Sequence, residues 1–346
     1  MTGTSSRSRS PQLMRRSLRM TRMREAFARV ANEPSVWSAS EFHVVEVQGR
    51  PVGRRVWVGK DQLSTPTAFF ESGDDRLLNI EVSQAIRLAS ATIQNELGDA
   101  LRAVQIRCLE PRLEGVFHTF LEDVIASVDA GGTVYDALAS TVREWRRLLM
   151  IAREGISEQA LKGLYGELSI LRQIVAVHGA SALTLWEGPE RGRHDFVGDV
   201  VSMEVKTAAL QNRQAVTIHG LRQLEPSEGS DLYLAVTEVD PHPRGERLSD
   251  LVEEIVDAGV DESGMRKRLA ALGYVVDMPG TEDHRFKLVS TKYWHITEST
   301  PVLRRSVLPE AVVNAVSDLS YSLDLSALGD GFSEEFDFTR IAREEA

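Results

Sequence analysis

Asp195, Glu204 and Lys206 lie in the run His194-Asp-Phe-Val-Gly-Asp-Val-Val-Ser-Met-Glu-Val-Lys-Thr207, and their types and spacing can do chemistry if they meet. A strand repeats every two residues. The stretch from Val200 to Ala208, rich in β-branched and apolar residues, therefore predicts Val201, Met203 and Val205 on one face and Ser202, Glu204 and Lys206 on the other. His194 to Val197, followed by Gly198-Asp199, predicts a strand entering a tight turn, which sets Asp195 beside Glu204 across a hairpin. Two close carboxylates ionise together comfortably only with a cation between them, and an all-oxygen site with water suits Mg²⁺, with Mn²⁺ as a substitute. Such an ion polarises a phosphate and lowers the pKa of a bound water, while Lys206 orients or deprotonates that water and stabilises developing negative charge. That division of labour is hydrolysis of a phosphodiester. Glu-x-Lys alone also occurs on many exposed, salt-bridged strands, so a second element is needed.

Upstream, Leu161, Leu164, Leu168, Leu171 and Val175 recur at helical spacing and define a buried stripe, with Glu167 on its shoulder. An acid there costs free energy unless it pairs with a cation such as Arg172 or Arg193, or faces a metal or a water-filled site. Gly163 and Gly166 weaken the same helix and permit close backbone approach.

Together these residues resemble the PD-(D/E)XK nuclease superfamily, with its restriction-endonuclease-like fold. More closely, the chain is similar to a bacterial family of PD-(D/E)XK motif proteins encoded beside DNA methyltransferases and ATPases in restriction or phage-defence gene clusters. The marks of the resemblance run from about Glu41 to Leu325: Gly163-Leu-Tyr-Gly-Glu-Leu168, His194-Asp-Phe196, Glu204-Val-Lys-Thr207, Gln223-Leu224, Leu232-Tyr-Leu-Ala235 and Arg285-Phe286. The resemblance implies that Asp195, Glu204 and the backbone carbonyl of Val205 bind the metal and that Lys206 is the catalytic lysine. Glu167 corresponds to the acid on the first core helix, and Gln223 to an auxiliary residue; a surface glutamine is the alternative for Gln223. The chain departs from the superfamily label in carrying His194 where a proline precedes the aspartate. His194 is either a substrate contact or a hydrogen-bonded structural residue.

At 346 residues with 42% hydrophobic residues, the chain can bury a large core and is expected to form two domains. Nothing approaches about 18 consecutive apolar residues, so no membrane-crossing helix is expected. The first residues lack the apolar centre of a secretory signal, and the single Cys108 cannot form an internal disulfide, which makes a reducing cytoplasm the expected setting. A net charge of -11 argues against a broad DNA-coating surface, so a local basic groove or a partner must bring nucleic acid in. Candidate DNA contacts are Arg15 and Arg16 in the Arg-rich N-terminus, and Arg266, Lys267 and Arg268 on a later helix; a solvated extension and a charged helix exterior are the plain alternatives.

The expected organisation has four parts. Residues 1–34 form an Arg-rich, partly disordered extension, with a helix from Met14 to Val30. Residues 35–152 form an α+β accessory domain with strands at His43–Val47, Arg55–Val58, Thr67–Phe70 and Ala103–Leu109 and helices at Val82–Ala91, Val116–Val128 and Val134–Met150. Residues 153–328 form an α/β, mixed α+β nuclease-like core whose central mixed sheet is flanked by helices. Within it Ala215–Ile218, Asp231–Thr237, Arg285–Val289 and Lys292–Ile296 are strands, and Leu248–Asp257 and Met265–Leu272 are helices. Residues 329–346 form an acidic, frayed tail.

The chain lacks a phosphate-cradling Gly-x-x-x-x-Gly-Lys-Ser/Thr, zinc ligand spacing and a Gly-x-Ser-x-Gly elbow. The expectation is a Mg²⁺-dependent DNA endonuclease working with defence-system partners such as a methyltransferase or an ATPase. A catalytically silent or partner-activated specificity subunit is the alternative. One Asp-Glu-Lys set cuts one strand at a time, so a homodimer is expected if both strands break together.

Overall fold

The structure, a computed structural model, describes residues 22–30, 32–33, 37–39, 42–73, 79–81, 83–95, 97–154, 156–190, 192–208, 214–281, 283–316, 318–333 and 336–343. Arg15 and Arg16 lie outside them. The chain runs α1 (Arg22–Arg29), β1 (Trp37–Ala39), β2 (Phe42–Glu46), β3 (Val56–Lys60), β4 (Pro66–Glu71), β5 (Asn79–Glu81), β6 (Ile86–Asn95), β7 (Ala100–Cys108), α2 (Glu114–Asp129) and α3 (Val134–Glu154). These strands form one antiparallel sheet in the order β1-β2-β3-β4-β7-β6-β5, closed on itself where β1 also pairs β6. Alternation along each strand separates two apolar layers. Trp57, Phe69 and Ile93 fill one side, while Val56, Val58, Phe70 and Ile106 meet Phe117, Phe120 and Val124 of α2 on the other.

The second part comprises α4 (Glu158–His178), β8 (Phe196–Val197), β9 (Val201–Ala208), β10 (Ala215–His219), β11 (Asp231–Glu246), α5 (Leu248–Asp257), α6 (Glu262–Ala271), β12 (Phe286–Ile296), α7 (Glu310–Ala315) and β13 (Ser320–Asp324). Its central sheet is mixed, in the order β12-β11-β9-β8, with β9 and β11 parallel and the other pairs antiparallel. This mixed α+β architecture, a mixed sheet with flanking helices, is compatible with a restriction-endonuclease-like core. Ser157 starts α4 by accepting the Ala160 N–H on its hydroxyl at 3.2 Å. Leu161, Leu164, Leu168 and Leu171 then pack on Val201, Met203 and Val205 of β9. One helical stretch among the described residues, Glu158–Leu185, is by length and composition able to cross a membrane, yet these leucines are buried in the protein's own core.

Several expectations need correction. The helix expected at Val82–Ala91 is not formed by its described residues, 83–91: the Ser83 hydroxyl accepts the N–H groups of Ala85 and Ile86, turning the chain into β6, which pairs with β7 from Ile86↔Cys108 to Gln94↔Ala100. Short apolar runs fit either period, and cross-strand pairing decides here. The strand at Ala215–His219 leaves the central sheet and pairs β13 instead, covering the sheet's second face through Val216, Ile218 and Leu323 against Leu234 and Trp294. The two predicted strands at Arg285–Val289 and Lys292–Ile296 are one, β12. Beyond Leu328 the acidic composition suggested fraying, but Phe336, Phe338 and Ile341 are buried in the core around α4 and the mixed sheet.

Candidate active site

The hairpin register decides where the acids meet. Phe196 pairs Met203 and Val197 pairs Ser202, so the ladder ends where Asp195 would face Glu204. Asp195 sits in the bend before β8, and its carbonyl accepts the N–H groups of Glu187 (2.9 Å) and Gly188 (3.1 Å). Its side chain takes the place of the missing ladder bond, Oδ2 accepting the Val205 N–H at 2.7 Å. Gly188 must lack a side chain, because a Cβ there would stand 2.7 Å from Asp195 Oδ1. A strand residue points its N–H and C=O to the same edge, so the Val205 carbonyl shares the edge on which Asp195 sits.

Glu204 is 1% exposed, and Lys206 Nζ donates to its Oε1 at 2.6 Å. Glu167 enters from α4 with Oε2 accepting the Trp186 indole N–H at 3.1 Å. The helix comes this close because Gly166 lacks a side chain: a Cβ would lie 2.4 Å from Thr207 Oγ1 and 2.5 Å from Thr237 Oγ1. Glu167 and Lys206 line a cavity of about 330 Å³ that also receives Gln159, Thr217 and His219.

The carboxyl groups of this site are buried together, and burial is the first cause of each shift. Burial, followed by the Asp195 charge, pushes Glu167 up to about 8 against the Trp186 bond and the Lys206 charge. Burial also raises Asp195, opposed by Lys206 and the Val205 N–H, and it raises Glu204 well above the usual carboxylate range, with Asp195 adding to the effect. For Lys206, burial works against the charged form, but Glu204 and Asp195 more than offset it and hold its pKa above the ordinary lysine value. With no cation beside these carboxylates, Lys206 is therefore an ammonium that donates.

As a metal site the donors fit in kind. Among the described residues no three His, Cys, Asp or Glu side chains form a ready cage. Mg²⁺, however, is commonly held by one or two carboxylates plus water and substrate phosphate. Asp195, Glu204 and the Val205 carbonyl would supply such a partial set, and the raised carboxylates are what an adjacent cation would relieve.

Other expected residues stand elsewhere. Gln223 Oε1 accepts the His219 N–H at 2.8 Å, so it shapes the turn after β10 and does not line the acid cavity. His194 is 2% exposed and is brought down to about 4, first by burial and then by the Arg193 charge, against hydrogen bonds to the Glu225 and Arg222 backbone. It is a neutral ring packed on that loop, so it offers no cation to a phosphate. Arg266 bridges to Asp123 of α2 at 2.6 Å and to Glu262 at 2.8 Å, tying the two parts of the molecule together. Arg268 donates to the Trp186 carbonyl at 3.2 Å, and only Lys267 of that trio is exposed. The basic helix is thus a structural junction, which a charge run in sequence cannot distinguish from a DNA-facing one. Arg172 and Arg193 are engaged with Glu246 and with the Arg222 carbonyl, so neither is the partner of Glu167. Trp186, Gly188, Gln159 and His219 were not foreseen; only the glycine-permitted approach of α4 had a visible signal, at Gly166.

Residues 27–326 match a protein-family model described as "Putative PD-(D/E)XK family member, (DUF4420)". No curated protein and no solved structure matches the chain.

Proposed function

The chain belongs to the DUF4420 family of PD-(D/E)XK-type proteins, and on that premise we propose that it is a metal-dependent DNA endonuclease serving a bacterial restriction or phage-defence system. The observation that carries the reading is the meeting of Asp195, Glu204 and Lys206 where the β8–β9 ladder ends, with both carboxylates raised. Asp195, Glu204 and the Val205 carbonyl would hold Mg²⁺ or Mn²⁺. When bound, the cation supplies Lewis-acid activation of the phosphate and of a water molecule.

The remaining work falls to the chain. The Lys206 ammonium donates to a non-bridging phosphate oxygen and stabilises the charge that grows there. Glu167, its pKa raised first by burial and then by the Asp195 charge, stands beside these groups while Trp186 fixes its orientation. The strand edge and α4 hold these groups on regular elements, where their geometry is kept by packing.

The test is incubation of supercoiled and linear DNA with the full-length protein and Mg²⁺ or Mn²⁺, beside Asp195→Ala and Lys206→Ala. Cutting by the wild type that disappears in both variants supports the proposal. Absence of cutting by well-folded protein with either metal overturns an autonomous nuclease. It leaves the partner-activated subunit, to be tested by adding a methyltransferase or an ATPase of such a system.

A further inference from the structure

A second groove opens off the acid cavity. His219 lines both the 330 Å³ cavity and a neighbouring one of about 350 Å³, whose other walls include Arg222 from the turn after β10 and Arg305, Val313, Val316 and Asp318 from the segment before β13. The walls are tied together at both ends: Gly220 donates its N–H to the Leu319 carbonyl at 2.7 Å, and Glu225 Oε2 accepts the Ser306 N–H at 3.3 Å. Gly220, at φ +76°, reverses the chain so that Arg222 returns along the groove. Gln223 fixes that turn through the His219 N–H.

The charges in this groove are uncommitted. Arg50, Arg55, Arg107, Arg172, Arg247 and Arg266 are all spent on carboxylates. Arg222 and Arg305 are exposed, and neither guanidinium has an ion-pair or hydrogen-bond partner among the described residues. Asp318 is the single acid on the walls, which leaves the lining net positive in a chain of charge -11. A planar guanidinium with five fixed donors is suited to phosphate oxygens.

We propose that this groove binds the sugar-phosphate backbone of the strand being cut, with Arg222 and Arg305 on phosphates flanking the one at Lys206. The proposal rests on the nuclease reading for the identity of that strand. The apolar Val313 and Val316 supply a wall for sugars and bases, and contacts from the two guanidiniums to phosphate oxygens carry no sequence information of their own.

The experiment is fluorescence anisotropy of labelled single-stranded and duplex oligonucleotides with the full-length protein in EDTA, over a series of salt concentrations. Arg222→Ala/Arg305→Ala is expected to weaken binding on the order of tenfold and to lower the slope of log K against log salt by about 2. Arg143→Ala, which removes an exposed arginine of α3, should change neither. Arg222→Lys/Arg305→Lys should recover part of the affinity, since a point charge still meets phosphate. Thermal melting checks that the variants fold. Unchanged affinity and slope in the double alanine variant, or no binding by the wild type, overturns the groove. Because binding is read without metal, a protein that binds through these arginines and cuts nothing refutes the nuclease and keeps the groove. One that cuts while the double variant binds normally does the reverse.

Discussion

Lys206 Nζ stands 2.6 Å from Oε1 of Glu204, two residues earlier on the same strand, and the carboxylate it touches is 1% exposed. The ammonium is thus the buried acid's counter-charge before any cation arrives, and it is placed to move onto a phosphate when one does. Lys206→Met keeps the aliphatic stem and removes the charge, and Glu204 can answer by binding a proton. The fold is expected to survive, and kcat/KM for oligonucleotide cleavage to fall by at least about 10²-fold. Steady-state cleavage beside circular dichroism reads both, and a rate within threefold of wild type would remove Lys206 from the mechanism.

Metal binding should be visible without turnover. Mg²⁺ or Mn²⁺ binds deprotonated carboxylates, and Asp195 and Glu204 are both raised, so protons compete with the cation. Either metal is expected to raise Tm more at pH 8 than at pH 6, the added stability reaching about 2.7 kcal/mol when free metal is 100 times Kd. Asp195→Asn should abolish the shift. An equal metal-induced shift in wild type and Asp195→Asn would place the ion elsewhere.

Gly166 is where α4 touches the strands that carry the site. Thr207 Oγ1 and Thr237 Oγ1 lie 3.0 Å apart directly beneath it, and a methyl group would press on both. Alanine normally favours a helix over glycine by about 1 kcal/mol, yet here Gly166→Ala is expected to destabilise by about 1–3 kcal/mol and to slow cleavage by displacing Glu167. In a Thr207→Ala/Thr237→Ala background the same change should cost much less. Urea melts of the cycle give the coupling, and simple additivity would mean that the threonines are not what α4 meets.

The legible parts of the sequence were those governed by short-range periodicity. β9 obeys its two-residue repeat, so the shared face of Glu204 and Lys206 and the position of Asp195 across the turn follow from pattern alone. The leucine stripe of α4 is equally local. What stayed hidden depends on contacts between distant segments. Trp186 reaches Glu167, Arg266 crosses to Asp123, and His219 joins two cavities through the pairing of β10 with β13. Nothing in the spacing of Ala215–His219 says which strand it joins. The tail beyond Leu328 misled for the opposite reason: its acidic composition masks three apolar residues, Phe336, Phe338 and Ile341, that are enough to dock it.

His118 offers a stability experiment far from the acid cluster. Its ring stacks on Phe27 at 4.6 Å, and both nitrogens are buried without hydrogen-bond partners; Glu114 Oε1, at 3.7 Å, is too distant for one. Burial, aided by the charges of Arg24 and Lys60, brings its pKa down to about 3. A histidine whose folded pKa lies below its unfolded value binds more protons when unfolded. Stability is therefore lost as pH falls from about 6.5 towards 3, and this group contributes a loss of about 2 kcal/mol between pH 7 and pH 5. His118→Phe keeps an aromatic ring on Phe27 and removes both orphaned nitrogens, so it should be more stable than wild type by about 1–3 kcal/mol at pH 7, with a gap that widens at pH 5. His118→Leu, which is smaller, guards against a steric failure of phenylalanine. The difference between variant and wild type, taken from urea melts at each pH, isolates this residue from the carboxylates, of which Asp195 and Glu204 are raised and act in the opposite direction while Glu71 and Asp250 are lowered and act in the same one. A difference that stays constant from pH 7 to pH 5 in both variants would show that the buried ring does not carry the acid sensitivity.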